Sequence, residues 1–452
     1  MQIDLYDRHF YKTMLGIALP ITLQNLISSA LNMVDTVMIG KLGETQIAAV
    51  GLANQVFFLF ILLMFGVNSG CAIFTAQFWG KQDIRNVRRV MGIALVSGIS
   101  ISFLFGIGAY FIPEKLLRIF TTDAVVVDMG SQYLRIVSFS YLITAITFVY
   151  AFASRSIGQA KLPMMVSAVS LLANTGLNYL LIFGNFYFPK MGIQGAALAT
   201  LIARSIELIL LVGIIYGNKD VLAGTLKEML AFDNKFFKKV YNTTIPVILN
   251  EGLWSLGMIM YTAAYARIST EAIASIQIAN TIQSMFMVIS MGLGNSCAVM
   301  LGNVIGAERQ EKAVIYGNTF CLLGIITGVV LGLKLVLLSP VILSFFNVSP
   351  VVYNNAAKIL LIMGIFMCFR FFNTVLIIGI LRSGGDTKFS LFLEMGSVWI
   401  LGVPLAFLGA LVLKLPVYWV YALISLEELV KACIGVPRVI SKKWVRNVVR
   451  NM

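Results

Sequence analysis

Twelve stretches of this chain are each apolar for long enough to cross a lipid bilayer, and that property restricts the fold more than any motif. A helix needs about 20 apolar residues to span a hydrocarbon core of about 30 Å. Runs of this order lie near 14–39, 46–78, 91–113, 131–154, 163–184 and 193–216. They resume near 240–266, 272–304, 314–338, 355–381, 389–413 and 417–437. Only 12% of the 452 residues are charged, against about 25% in a soluble domain, so a soluble fold would lack a polar coat. Ten-residue segments of alternating hydrophobicity are absent from the sequence, which excludes a porin-like barrel. The expected class is an all-α integral membrane protein with twelve transmembrane helices.

The N-terminal MQIDLYDRHFYKTM has no cleavable leader pattern, so the first run is expected to stay as a true span. The five cysteines fall in apolar runs without paired spacing, which suggests neither disulfides nor a zinc site. His9, the one histidine, reads as a solvated surface residue. The net charge of +14 raises nucleic acid as a partner, but the placement of the charges argues against it. With the N-terminus inside, 23 Lys and Arg fall in the inner loops and tail and 9 in the outer loops. Basic residues concentrate on the cytoplasmic side, so both termini are expected there, in the plasma (inner) membrane. The tail SKKWVRNVVRN (441–451) suits anionic lipid.

The chain also repeats itself. At an offset of 226, Pro20 meets Pro246, Ala53-Asn54 meets Ala279-Asn280, Gly66 meets Gly292, Cys71-Ala72 meets Cys297-Ala298 and Gly80 meets Gly306. At 227, Arg155, Gly158 and Lys161 meet Arg382, Gly385 and Lys388. The expected organisation is an N-terminal six-helix lobe (1–216), a cytoplasmic linker (217–240) and a C-terminal six-helix lobe with a basic tail (241–452). Six spans are an even number, so the repeats run parallel, related by a pseudo-twofold along the membrane normal. Transporters of this build rock one half against the other around a site between them.

Charges at membrane depth are costly and mark functional positions by default. Asp35 and Glu251 each lie inside a span, and at offset 226 they align with Tyr261 and Asn25. An acid present in one half alone favours function over scaffolding. A carboxylate in a water-poor cleft disfavours its charged form, so it can take up a proton or Na⁺ on one side and release it on the other. Asn174 and Asn178 share a helical face at i,i+4 and either add oxygens for Na⁺ or bridge helices. Glu207 with Arg204, and Glu427 and Glu428 with Lys431, have the spacing of local ion pairs. Glu394 lies close enough to the inner end of its span for snorkelling to rescue it, and Asp386 reads as a turn or helix-cap acid. The chain shows no His-rich, Ser-His-Asp or metal-ligand constellation, so an enzyme is not expected.

Six stretches carry a family resemblance: ALPITLQNLISSALNMVDTVMIGKLG (18–43), ASRSIGQAKLP (153–163), NTGLNYLLIFG (174–184), GIQGAALAT (192–200), IPVILNEGLWSLG (245–257) and GILRSGGDTK (379–388). Together they resemble the multidrug and toxic compound extrusion (MATE) family, in its NorM-like branch. The resemblance implies two six-helix lobes and export coupled to Na⁺ or H⁺ by a rocker-switch, with no cofactor. It implies cation-coupling roles for Asp35, Asn174, Asn178, Thr200, Glu251 and Asp386, with Na⁺ at Asp35, Asn174 and Asn178 as the metal to consider. Where some members carry a second aspartate in the N-terminal lobe, this chain has Asn178, which leaves the choice of ion open. Substrates would be amphipathic, often cationic small molecules. Adaptable Met and cation-attracting rings suit them, so Asn25, Met33, Trp254, Met258, Tyr261, Gln277, Asn280, Gln283 and Met287 are candidates for the cleft. Lipid and small molecules are the expected partners, and the chain is expected to act as a monomer. A flippase for lipid-linked saccharides is the alternative. It would favour a cationic cleft, whereas the intramembrane acids outnumber Arg204 and Arg370.

Overall fold

A computed structural model describes residues 6–346, 348–450 and 452. Among these residues every long element is a helix, and twelve such helices follow one another. They are α1 (Arg8–Gly40), α2 (Glu44–Gly80), α3 (Ile84–Phe111), α4 (Ala124–Ser156), α5 (Lys161–Phe183) and α6 (Gly192–Gly217). The second set is α7 (Asn234–Ala266), α8 (Thr270–Gly306), α9 (Gln310–Leu343), α10 (Pro350–Arg382), α11 (Thr387–Val412) and α12 (Val417–Ile440). Each apolar run of the sequence falls on one helix, three of them overrunning its end by one or two residues. Ten are long and apolar enough to cross a membrane. The remaining two, α7 and α12, are diluted by Asn250 and Glu251, and by Glu427, Glu428 and Lys431, whose side chains pair inside the protein.

Capping explains why the helices start before their apolar runs. Asp123 accepts from the amides of Val125 and Val126 and so starts α4 at Ala124. Asp83 does the same for α3 and Ser269 for α8. Ser349 caps α10, with Pro350 in the first turn, where its missing N–H costs nothing. Between α6 and α7, Thr225 and Glu228 form a reciprocal capping box on the short helix Leu226–Met229, and Arg88 of α3 pairs with Glu228 at 3.1 Å.

Three π-helical stretches interrupt the C-terminal half: Val375–Arg382 at the end of α10, and Ser397–Gly402 and Leu408–Val412 in α11. A π turn inserts a residue and re-aims the side chains around it. At Gly402 a Cβ would stand 2.0 Å from the Tyr261 hydroxyl and 2.6 Å from the Glu427 carboxylate. Only glycine admits that buried pair here.

The chain divides into two compact units. The N-terminal unit comprises Leu23–Thr75 and Asp83–Tyr241. Its core includes Phe60, Met64, Leu134, Tyr141 and Ala197, with Phe60 and Tyr141 stacked at 4.9 Å. The C-terminal unit comprises Met1–Thr22, Ala76–Gln82 and Asn242–Met452. Its core includes Ala279, Leu360, Met363, Phe371 and Val420.

Segment Ala76–Gln82 belongs to the C-terminal unit through close packing and one side chain. A Cβ on Gly306 would meet the Gln77 carbonyl at 1.9 Å, and one on Gly80 would meet that of Asn303 at 1.9 Å. These glycines bring the ends of α2 and α8 together. The Gln77 amide then donates to the carbonyls of Ser383 (2.8 Å) and Arg446 (3.2 Å) and accepts from the amide of Val448 (2.9 Å). Those last residues form a non-helical tail held by the fully buried Trp444.

Candidate functional site

The predicted coupling residues fall in three places. The first is a cavity of about 400 Å³ inside the N-terminal unit. Asp35 (α1), Asn174 (α5) and Thr200 (α6) border it, with Asn32, Asn54, Tyr133 and Ser170 as further polar groups and Phe57 and Phe58 as aromatic walls. Asn178 sits one turn from Asn174 and is fully buried. Its Nδ2 donates to the Asp35 carboxylate, and to Asn174 Oδ1 at 3.3 Å. Its own Oδ1 has no hydrogen-bond partner, an orphaned acceptor beside a carboxylate.

Arg204 also borders this cavity, and its charge is offset locally. It pairs with Glu207 at 2.9 Å across i,i+3, the local ion pair that the spacing predicts. Glu207 also accepts from Ser167 (2.6 Å), Ser167 from Gln24 (2.8 Å), and Gln24 from Arg155 (2.7 Å). The lining therefore holds a neutralised arginine and one carboxylate, Asp35, that has no basic partner within 4 Å among the described residues.

The second place surrounds Glu251 in the C-terminal unit. Its carboxylate is 2.7 Å from the guanidinium of Arg382, a residue only 3% exposed. Glu394 (α11) stands 3.8 Å from the same nitrogen and accepts from Asn250 Nδ2 at 2.5 Å. Glu394 thus does not snorkel; it turns inward, its side chain 15% exposed. On α12, Lys431 reaches Glu427 at 3.5 Å and Glu428 at 3.6 Å, as their spacing predicts. Tyr261 donates to Glu427 at 2.5 Å, and Asn373 to Glu428 at 2.7 Å.

The third place is Asp386, 1% exposed, between Arg438 (2.7 Å) at the end of α12 and Arg446 (3.0 Å) of the tail. It stands at the N-cap position of α11 but makes no side-chain cap bond there.

None of the nine cleft candidates borders the 400 Å³ cavity. Met33, Trp254, Met258 and Gln277 are exposed, Asn25, Asn280 and Met287 are half-buried, and Tyr261 and Gln283 are buried. Sequence reasoning passed over Arg382, which it assigned to an inner loop, and Asn250 beside Glu251. It also passed over Tyr133 and Asn54 at the cavity wall. The repeat held the signal for Arg382: its mate Arg155 binds Gln24, and Gln24 lies 227 residues before Glu251. The contacts therefore make Gln24, rather than Asn25, the structural equivalent of Glu251.

Twelve long helices, ten of them apolar enough to span, and a polar cavity inside a six-helix unit define a multi-pass membrane transporter. The MatE family profile matches the chain twice, over residues 20–180 and 246–408, and the chain belongs to this family of multidrug efflux transporters, which are not enzymes. The two matches begin at Pro20 and Pro246, the prolines that the internal repeat superimposes. Among similar sequences, the uncharacterized transporter YisQ of Bacillus subtilis is 24% identical, over 91% of this chain and 90% of its own. The probable multidrug resistance protein NorM of Thermotoga maritima is 22% identical, over 88% and 85%. Among solved structures, the Vibrio cholerae MATE transporter VcmN in its bent form superposes with a TM-score of 0.87 at 17% identity, covering 97% of this chain and 99% of that one. A MOP superfamily transporter from Pyrococcus furiosus, described as having a binding pocket of reverse polarity, gives 0.86 at 19%, covering 96% of each.

Proposed function

We propose that the protein is a cation-coupled antiporter that exports amphipathic, often cationic small molecules, and that the Asp35 cavity is where coupling ion and substrate compete. The supporting observation is a carboxylate with no basic partner within 4 Å among the described residues, on the wall of a chamber large enough for a small ligand. A lone anion in a low-dielectric wall attracts one positive charge, whether H⁺, Na⁺ or an organic cation. The aromatic rings of Phe57, Phe58 and Tyr133 supply apolar and cation–π surface for the organic competitor. Na⁺, a hard cation, would find oxygens at Asp35, Asn174 and the orphaned Asn178 carbonyl. Alternating exposure of this site to the two sides of the membrane would turn competition into exchange.

In this reading the protein works as a monomer in the plasma membrane, with its basic loops and both termini in the cytoplasm. Asp386, bound by two arginines, and Glu251, bound by Arg382, position their helices and do not take the coupling ion at the cavity. The test is dye efflux from proteoliposomes with a Na⁺ gradient or a pH gradient imposed singly. D35N should abolish gradient-driven efflux with either ion while the protein remains folded. Wild-type rates in D35N would overturn the proposal.

A further inference from the structure

The two units carry the same polar clamp, and they differ in charge. In the N-terminal unit, Arg155 at the end of α4 reaches Gln24 of α1, Gln24 reaches Ser167 of α5, and Arg204 of α6 lies at the far end on Glu207. Adding 227 to Arg155, Gln24, Ser167 and Arg204 gives Arg382, Glu251, Glu394 and Lys431. In the C-terminal unit Arg382 stands on Glu251 and Glu394, and Lys431 stands on the acids one turn before it, with its charge also acting on Glu394. Where the first clamp places a neutral amide and a hydroxyl on its arginine, the second places two carboxylates.

The charges do not balance. Glu427 and Glu428 have Lys431 between them, with Arg370 nearby on the Tyr421 hydroxyl at 2.8 Å. Within 4 Å, Glu251 and Glu394 share one nitrogen of Arg382, at 2.7 and 3.8 Å, and Lys431 acts on Glu394 from further off, so four acids of the cluster face three bases, Arg382, Lys431 and Arg370. A surplus negative charge at this depth costs several kcal/mol unless something neutralises it. Three buried polar atoms in the cluster lack partners: Asn250 Oδ1, Arg382 Nε and Arg382 Nη1. Asn250 is only 2% exposed and touches Glu394 through its other amide atom. An unfilled acceptor beside the more weakly paired carboxylate is what an O–H on that carboxylate would need.

We propose that Glu394 is a proton-binding site of the C-terminal unit, with Glu251 ionised on Arg382 and Asn250 reading the proton through its amide. The groups facing Glu394 are Asn250 and Glu251 on α7, Arg382 on α10 and Lys431 on α12. A proton suits the site better than Na⁺, because the guanidinium that holds both acids repels a second fixed cation. The side chains of Glu251 and Glu394 are 14% and 15% exposed. This site is separate from the Asp35 cavity and goes beyond the function proposed for it.

Infrared titration of the full-length protein in lipid, across H₂O and D₂O, tests the assignment. Wild type should show a protonated-carboxyl band that E394Q lacks, and potentiometric titration should find about one proton fewer per chain in E394Q. E251Q should lose the same band, because Arg382 is then free to ionise Glu394, whereas E427Q should keep it. If E394Q fails to fold, E251Q carries the test. A band that survives both E394Q and E251Q, or one displaced by Na⁺ at constant pH, overturns the assignment. Neither result depends on dye efflux, so failure here and failure of the Asp35 proposal are separable.

Discussion

Asp35 and Glu251 look alike in the sequence, as single acids in apolar surroundings, and differ in what stands opposite. Asp35 meets an amide, Glu251 a guanidinium. Removing one member of a buried ion pair strands the other, at a cost of about 3–5 kcal/mol. In E251Q, Glu394 takes over Arg382, so the stranding variant is R382Q: it should lower the thermal midpoint measurably, and E251Q/R382Q should recover part of the loss; a double variant no more stable than R382Q would refute the coupling. D35N strands no opposite charge and should leave the midpoint nearly unchanged. Local spacing made some of these pairs legible and not others. Glu207 with Arg204, and Lys431 with Glu427 and Glu428, lie three or four residues apart, within one helical turn. Asn178 finds Asp35 across 143 residues and Asn250 finds Glu394 across 144, which no local pattern encodes. Asn178, which removes a charge from the N-terminal lobe and leaves the choice of ion open, is the direct donor to Asp35.

The helices themselves were readable because span length and capping chemistry are local properties. The π turns were not. They answer to tertiary contacts such as the seat of Tyr261 and Glu427 against Gly402, which have no signature in the apolar run GSVWILGVP. G402A should displace that pair and destabilise α11, and a Tyr261 environment unchanged in ultraviolet absorption would contradict this. At the short helix Leu226–Met229, the Thr225 amide donates to the Glu228 carboxylate and, despite the opposing effect of desolvation, holds it below the usual range, with Arg88 adding to the effect. A folded-state pKa below the unfolded one stabilises above the ordinary carboxylate range, and that contribution is lost as pH falls through the depressed value. Hydrogen exchange at the amides of Thr225 and Glu228 should accelerate over that acid interval in the wild type, with no such step in E228Q.

At the level of the molecule, the repeat was the most informative reading. It set the two family matches 226 residues apart at their starts, and it links the two arginine clamps. The halves share a frame and diverge in charge: a chamber with a free acid in one, an acid-loaded clamp in the other. The basic loops predict the sidedness of the whole. Single cysteines in a cysteine-free background should report it, with Q82C labelled only from the cytoplasm and R118C only from outside. Labelling of both from one face would reject the orientation.

Gln77 finds its amide partner Val448 371 residues further along the chain. A ribosome threading this protein into a bilayer therefore emits the end of α2 long before anything exists to receive it. Through most of synthesis that segment must wait in contact with water, lipid headgroups or an insertase. Biogenesis should accordingly stall late rather than early, and variants at Gln77 or Gly306 should accumulate as inserted but protease-sensitive chains.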